Sequence, residues 1–399
     1  MSTSESLPIP TKTNSDLSVL PVAVDAMGGD FGAEVNVAGA IVAMQQKGIP
    51  SILVGRQDDV RARLRALGGE NIKGIELIHA PDIVEMGEVP TNALRRKPQS
   101  SLRVAYDLVR DGKACALVSA GNTGAVMALG ISSIGTLPGI ARPAIASLVP
   151  KVGKAKPTVL LDSGANIDCH AYQLVQFALM GNYYAQSVLG CVSPRIGLLS
   201  NGSESSKGND IIRSAAVTLQ EMKGIDYIGF IEGRDISQDV ADVAVCDGFI
   251  GNLILKTIEG TVELVIDTIK QNVETSTRGK FGMWCAKPML KKVFEDELDP
   301  GAYGGAPLLG LNEVSIVCHG GASAKAIFNG IRVARKFVDD GMISKIRSAL
   351  NNVYLDLPGG YEDGIWGRMG MRFGKEKIKK KDLKSEEGSD KAQDEIQGG

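Results

Sequence analysis

The sequence predicts an α/β fold in which a mostly parallel sheet is flanked by helices and one helical hairpin protrudes. Two observations carry this expectation. Short apolar runs rich in Val, Ile, Leu and Ala recur along the chain, each followed by a glycine-containing polar turn and then a helix-compatible segment. Strands of a parallel sheet are buried on both faces and feed crossover helices, so they read this way. The 48 glycines gather at the ends of these runs instead of forming a low-complexity tract, which marks tight turns. With 399 residues and 44% hydrophobic content, the chain can bury a sizeable core.

Residues 1–19 are polar and rich in Ser and Thr and are expected to form a mobile leader. The α/β domain is expected over 20–350. Its clearest strands are Val22–Asp25 before AMGGD, Ala116–Ser119 before AGNTG, Val159–Leu161 before DSGAN, Ile196–Leu199 before SNGSESSKG, Val243–Cys246 before DGFIGN and Ser315–Cys318 before HGGAS. The hairpin occupies about 260–300. Val262, Val265, Ile266, Ile269 and Val273 share one helical face, as do Met289, Leu290, Val293, Phe294 and Leu298. Its connection, TSTRGKFGMWCAKP, sets Phe281, Met283 and Trp284 beside Arg278, Lys280 and Lys287. Apolar side chains rimmed by cations suit the interface of an anionic bilayer, and equally a dimer contact. An extension over 351–374 follows, and the charged stretch 375–399 is expected to be disordered and solvated.

Several function classes are disfavoured. The 44 basic and 46 acidic residues leave a formal charge of -2, so no global field draws in nucleic acid. No stretch approaches the roughly 20 apolar residues that cross a bilayer, and no apolar run near the start reads as a signal peptide. A cytoplasmic chain is expected. Cys115, Cys169, Cys191, Cys246, Cys285 and Cys318 are dispersed with no C-x-x-C, and three histidines are too few to build a zinc site with them. GSESSKG and GGASAK both miss the order of a nucleotide phosphate loop. No G-x-G-x-x-G follows the first strand and no G-x-S-x-G elbow occurs, which weakens a dinucleotide enzyme and a covalent serine mechanism.

What remains suits a small oxyanion. In open α/β sheets ligands sit outside the strand carboxyl ends, where helix N-termini direct N–H groups toward anions. Those turns hold Gly121, Asn122, Thr123 and Gly124, then Glu204, Lys207, Gly208 and Asn209, then Gly251 and Asn252, and His319. They supply donors without an obvious nucleophile. Acyl transfer from a thioester to phosphate fits such a set, because phosphate is already ionised at neutral pH and a thiolate with a conjugate acid near pKa ~8.5 leaves readily. Proximity and donors for the carbonyl oxygen then matter most. Asp25 and Asp162, at two strand ends, read as loop-holding groups beside the cleft, with Gly28 and Gly29.

The blocks AVDAMGGD, RRKPQSS, SAGNTGA, LLDSGAN, GLLSNGSESSKGN, DGFIGNLILKTIEG, YGGAPLLGL and the HG of HGGAS, in order and spacing, resemble those of PlsX-type phosphate acyltransferases over about Pro21 to Lys345. The resemblance implies transfer of a fatty acyl group from acyl-acyl carrier protein to inorganic phosphate, giving acyl phosphate for phospholipid synthesis. It implies a fold like that of phosphotransacetylase and isocitrate/isopropylmalate dehydrogenase, no cofactor and no metal. It also implies a homodimer that associates peripherally with membrane and hands product to a membrane glycerol-3-phosphate acyltransferase. On this basis Lys207 is expected as the phosphate cation, Asn252 as a donor to phosphate or the thioester oxygen, and His319 as a proton donor to the leaving thiolate or an orienting group. Arg95, Arg96 and Lys97 are expected to meet the acidic carrier protein, and Phe281, Met283 and Trp284 the membrane.

Two positions depart from the family's usual pattern: Ala33 replaces a common Pro, and Gly320-Gly321 replaces a common Gly-Ser. Competing readings are a phosphate acetyl- or butyryltransferase using coenzyme A, a decarboxylating dehydrogenase, and a non-catalytic membrane scaffold. The dehydrogenase would need clustered Asp ligands that the sequence does not display.

Overall fold

The computed structural model describes residues 20–153, 155–274, 277–292 and 304–355. Residues 1–346 form one unit and 347–399 a second. Among the described residues one sheet is built from β1 (Val22–Asp25), β2 (Ser51–Gly55), β3 (Ile75–His79), β4 (Ala116–Ser119), β5 (Ala144–Val149), β6 (Thr158–Leu161), β7 (Arg195–Leu199), β8 (Asp226–Ile231), β9 (Val243–Val245), β10 (Ala306–Leu309) and β11 (Val314–Val317). Their order is β3-β2-β1-β4-β11-β10-β5-β6-β9-β7-β8. All six strands expected from apolar runs are present, with ends displaced by one residue at most.

Burial follows position in the sheet. Every residue of β1, β2, β4, β6, β9 and β11 is buried, as strands with a neighbour on each side require. The edge strands β3 and β8 are half-buried or exposed except for Ile231 at the end of β8, the pattern of a strand with one neighbour and partial cover.

The centre of the sheet is not parallel. β10 runs antiparallel to both β11 and β5, and β5 antiparallel to β6. The parallel half β3-β2-β1-β4-β11 therefore points opposite to the parallel half β6-β9-β7-β8. The carboxyl ends of β1, β4 and β11 leave one edge of the sheet, and those of β6, β7 and β9 leave the other. The core divides similarly, into one apolar cluster around Leu102, Tyr106, Leu117 and Leu129 and another around Leu160, Leu199, Ile231 and Ile236.

The helices that frame the site are α1 (Ala33–Lys47), α2 (Gln57–Ala66), α3 (Pro90–Arg96), α4 (Ser101–Arg110), α5 (Thr123–Ser133), α6 (Ala171–Leu189), α7 (Asp210–Glu221), α8 (Gly248–Glu274), α9 (Thr277–Lys292), α10 (Ala324–Asp339) and α11 (Met342–Leu355). Ala33 opens α1; a first helical position accepts Pro as readily, so that departure leaves the helix intact. The 27 residues of α8 give it a length of about 40 Å at 1.5 Å per residue. It packs on β6 and β5 through its first turns. Between Thr261 and Val273 none of its residues is buried, so Val262, Ile266 and Ile269 stay only half-covered and Val265 exposed.

The connection expected to form a hairpin tip is itself helical: Phe281, Met283 and Trp284 lie on α9. Phe281 and Trp284 stack with ring centres 6.2 Å apart and are exposed. The leader, Val293, Phe294, Leu298 and 356–399 lie outside the described residues. No described helix is long and apolar enough to cross a membrane.

Candidate functional site

A cavity of about 360 Å³ lies over the middle of the sheet, within the roughly 300–1,000 Å³ typical of organic-ligand sites. One wall comes from the first half's carboxyl edge: Gly121 and Thr123 after β4, and His319 and Gly320 after β11. The facing wall is α8, which presents Asn252, Lys256 and Glu259, with Ser163 and Gly164 of the β6 turn beside them. Spacings of four and three residues put those three side chains on one helical face, spread over about 10 Å. Ile145, Leu148, Leu255, Ala306 and Val317 make the rest apolar. The two halves, although oppositely directed, meet here because α8 starts at one edge and runs back across β6 and β5 toward the other.

The sequence-predicted residues separate into three groups. Gly121, Thr123, Asn252 and His319 line the cavity. Asn122, Gly124, Asp25, Gly28, Gly29, Asp162 and Gly251 stand behind it and shape its walls. Asn122 caps α5, accepting from Ala125 N at 2.9 Å, while its amide donates to the carbonyls of Met86 and Glu88 at 2.6 and 3.1 Å. With those bonds its side chain holds a loop. Gly124 lets Pro90 approach, since a Cβ there would lie 2.7 Å from Pro90 Cγ. Asp25 accepts from Ser119 Oγ at 2.8 Å and from Met27 N at 3.3 Å, and burial raises its carboxyl above the usual range. Gly28 packs against Gly121, and Asp30 N, next to Gly29, donates to Gly320 O, so the three turns of this edge interlock. Asp162 accepts from Ile145 N, Gly164 N, Ala165 N and Asn166 N, and from the Asn166 amide. The two aspartates hold loops, as the sequence reading had them.

The third group lies elsewhere. Lys207, Glu204 and Gly208 line neither this cavity nor a second one of about 180 Å³, although Asn209 borders the latter with Asp247 and Ile250. Lys207 folds back over Gly202, and among the described residues its ammonium has no ion pair. Of Lys207, Asn252 and Asn122, only Asn252 lines this cavity. β7 stands two strands beyond β6 in the sheet, and the β6 turn is the one that lines the cavity. Lys97 donates to Ile83 O and Glu88 at 2.6 Å each, while Arg95 and Arg96 are exposed.

Lys256 and Glu259 escaped the sequence reading although they stand in the quoted DGFIGNLILKTIEG. The signal was their helical spacing from Asn252. Glu259 is half-buried; burial, with Glu263 nearby, raises its carboxyl, against the opposing pull of His319 and Lys256. His319 Nδ1 accepts from Gly321 N at 3.1 Å. That bond needs only the backbone of Gly321, so the missing hydroxyl at this position does not disturb it. The thiols near the cavities are inert: burial pushes Cys318 and Cys169 up to about 12 and Cys246 well above its ordinary value, so no thiolate nucleophile is present near neutral pH.

Residues 20–345 match the model of a family described as fatty acid synthesis protein. The phosphate acyltransferase of Pelotomaculum thermopropionicum is 46% identical over 342 residues, covering 86% of this chain and 98% of that protein. That of Trichlorobacter lovleyi is 45% identical over 334 residues, covering 84% and 95%. The chain belongs to the phosphate acyltransferase family. Its fold is shared more widely. A phosphotransacetylase from Streptococcus pyogenes superposes with a TM-score of 0.54 at 18% identity, over 81% of this chain and 96% of that one. The EutD phosphotransacetylase from Staphylococcus aureus gives 0.52 at 18%, over 82% and 100%. The α/β class and the likeness to phosphotransacetylase expected from sequence are thus observed. The antiparallel centre is the feature of this phosphate acyltransferase family member that the apolar runs did not disclose.

Proposed function

We propose that the protein transfers a fatty acyl group from acyl-acyl carrier protein to inorganic phosphate, releasing acyl phosphate for phospholipid synthesis. The observation that carries this reading is the mixed lining of the larger cavity. Its volume exceeds what an oxyanion alone would fill, and its apolar stretch from Ile145 to Val317 suits an alkyl chain. Its polar wall of Thr123, Asn252, Lys256 and His319 suits phosphate and a thioester carbonyl. Holding both reactants in one hollow supplies proximity. Phosphate rests against Lys256 and Asn252, opposite the turn at Thr123. Arg95 and Arg96, exposed in the last turn of the helix whose first residue, Pro90, packs on Gly124, are the cations offered to an acidic carrier protein.

The half-covered face of α8 at Val262, Ile266 and Ile269 supports a homodimer. The exposed Phe281–Trp284 pair with Lys280 supports peripheral contact with an anionic membrane, where a glycerol-3-phosphate acyltransferase would take the product.

Purified protein mixed with phosphate and palmitoyl-acyl carrier protein is expected to form acyl phosphate, detected as its hydroxamate. Acetyl-CoA and palmitoyl-CoA in parallel are expected to react at least tenfold more slowly. Equal or faster reaction with acetyl-CoA would replace this reading by a phosphate acetyltransferase. The same preparation should sediment with anionic vesicles, and its failure to do so would remove the membrane contact.

A further inference from the structure

The transfer moves one proton, for which the sequence offers His319 as a donor to the thiolate. In the reaction of an acyl thioester with hydrogen phosphate, a phosphate oxygen bonds to the acyl carbon and the carbon–sulfur bond breaks. The phosphate hydroxyl loses its proton, and the departing thiolate gains one. Acyl phosphate dianion and neutral thiol are the products, so no other reactant is needed.

His319 is poorly placed to be that carrier. Gly321 N–H points at Nδ1, so the neutral ring bears its proton on Nε2. Giving that proton away would leave an imidazolate, and loading a second proton on Nδ1 would first displace the Gly321 N–H. His319 is instead fitted to donate an Nε2–H hydrogen bond to the thioester carbonyl oxygen as charge develops there.

We infer that Glu259 is the catalytic acid–base of the transfer, taking the proton from the phosphate hydroxyl and delivering it to the thiolate sulfur. Three observations converge on it. It lines the same cavity as Asn252, Lys256 and His319. It lies three residues beyond Lys256 on the same face of α8, so a phosphate held by that ammonium is within its reach. It is the carboxylate of that lining: Asp25 and Asp162 are buried behind the wall and committed to loop hydrogen bonds. The groups facing Glu259 are Lys256 and Glu263 on its own helix and His319 from the opposite wall. Lys256 offsets the repulsion a carboxylate would exert on phosphate, and partial burial favours a group that alternates between proton-bearing and ionised forms.

This assignment rests on the acyl transfer proposed above, and the test separates the two. Acyl phosphate formation is followed for the unmodified protein, Glu259→Gln and Glu259→Ala, with circular dichroism melts of each. Glu259→Gln should melt like the parent and lose about 100-fold in kcat, within the range of a removed acid–base group, with the phosphate KM little changed. Added formate should restore a measurable part of the Glu259→Ala rate, because a small acid can occupy the vacated space. A Glu259→Gln rate close to that of the parent overturns the assignment, and so does a Glu259→Ala loss that formate leaves untouched. Absence of acyl phosphate with the parent overturns the functional reading and the assignment with it.

Discussion

Gly251→Ala should destabilise the protein severely. A Cβ at this position would overlap Asp162 O and lie 2.9 Å from Asp162 C, both backbone atoms, with Ser163 Cα at 3.0 Å. No side chain can rotate away to make room. The first turn of α8 would have to lift off the β6 turn, which is fixed by the hydrogen bonds of Asp162 with four backbone N–H groups. Overpacking a core commonly costs about 1–3 kcal/mol and more where the backbone must shift, so a loss at or above ~3 kcal/mol is expected. The control lies nine residues further along the same helix. Gly260 is exposed and has nothing within 4 Å of its virtual Cβ. There alanine should stabilise the protein by roughly 0.5–1 kcal/mol through helix propensity alone. Urea midpoints of the two variants should move in opposite directions. A normal midpoint for Gly251→Ala would show that α8 does not approach the sheet as described.

The second large effect concerns a buried cation. The Lys151 side chain is 1% exposed, and its ammonium is 3.0 Å from Asp242 and 3.2 Å from Asp239. Arg195 binds the same two carboxylates at 3.0 and 2.6 Å. Burial works to raise the Asp242 carboxyl, but the hydrogen bonds from Arg195 and Lys151 outweigh it and hold the group well below the usual range. Asp242→Ala leaves the buried ammonium with the exposed Asp239 alone, which should cost about 2–3 kcal/mol, less than the roughly 3–5 kcal/mol of a fully unpaired buried charge. The pH dependence has a definite sign. A carboxyl depressed on folding adds stability above its unfolded pKa of ~3.9, and that stability drains away as pH falls toward the folded value. The parent should therefore lose stability steeply below about pH 4, and the part of that loss owed to this cluster should vanish in Asp242→Ala. Identical midpoints for parent and variant in urea at neutral pH would contradict this.

How much of the molecule could be read from its sequence follows from how the sheet is covered. Val22–Asp25 and Ala116–Ser119 are buried on both faces and carry an unbroken apolar run, so periodicity located them to the residue. Strand direction left no such trace. Ala144–Val149 and Ala306–Leu309 look like any apolar run, and only their tertiary partners make the centre of the sheet antiparallel. That reversal is why the six strand ends leave two edges of the sheet, and the place of β7, two strands beyond β6, is why Lys207 is not in the lining with His319. At Asn122 a helix N-cap and an anion donor call for the same side chain, and the structure shows it as the cap. Lys256 and Glu259 were missed because turns were weighed above helix faces, although a spacing of four and three residues from Asn252 pointed to them.

The central claim is that phosphate is held on the α8 face of the larger cavity and not at the turn after β7. The phosphate KM of Lys256→Ala and Lys207→Ala, measured side by side with saturating acyl donor, tests it most directly. Loss of a charge-assisted contact worth about 1.5–3 kcal/mol should raise the KM of Lys256→Ala some ten- to a hundredfold, while Lys207→Ala keeps a KM near that of the parent. A raised KM in Lys207→Ala with an unaffected Lys256→Ala would place the phosphate in the other crevice and contradict the account.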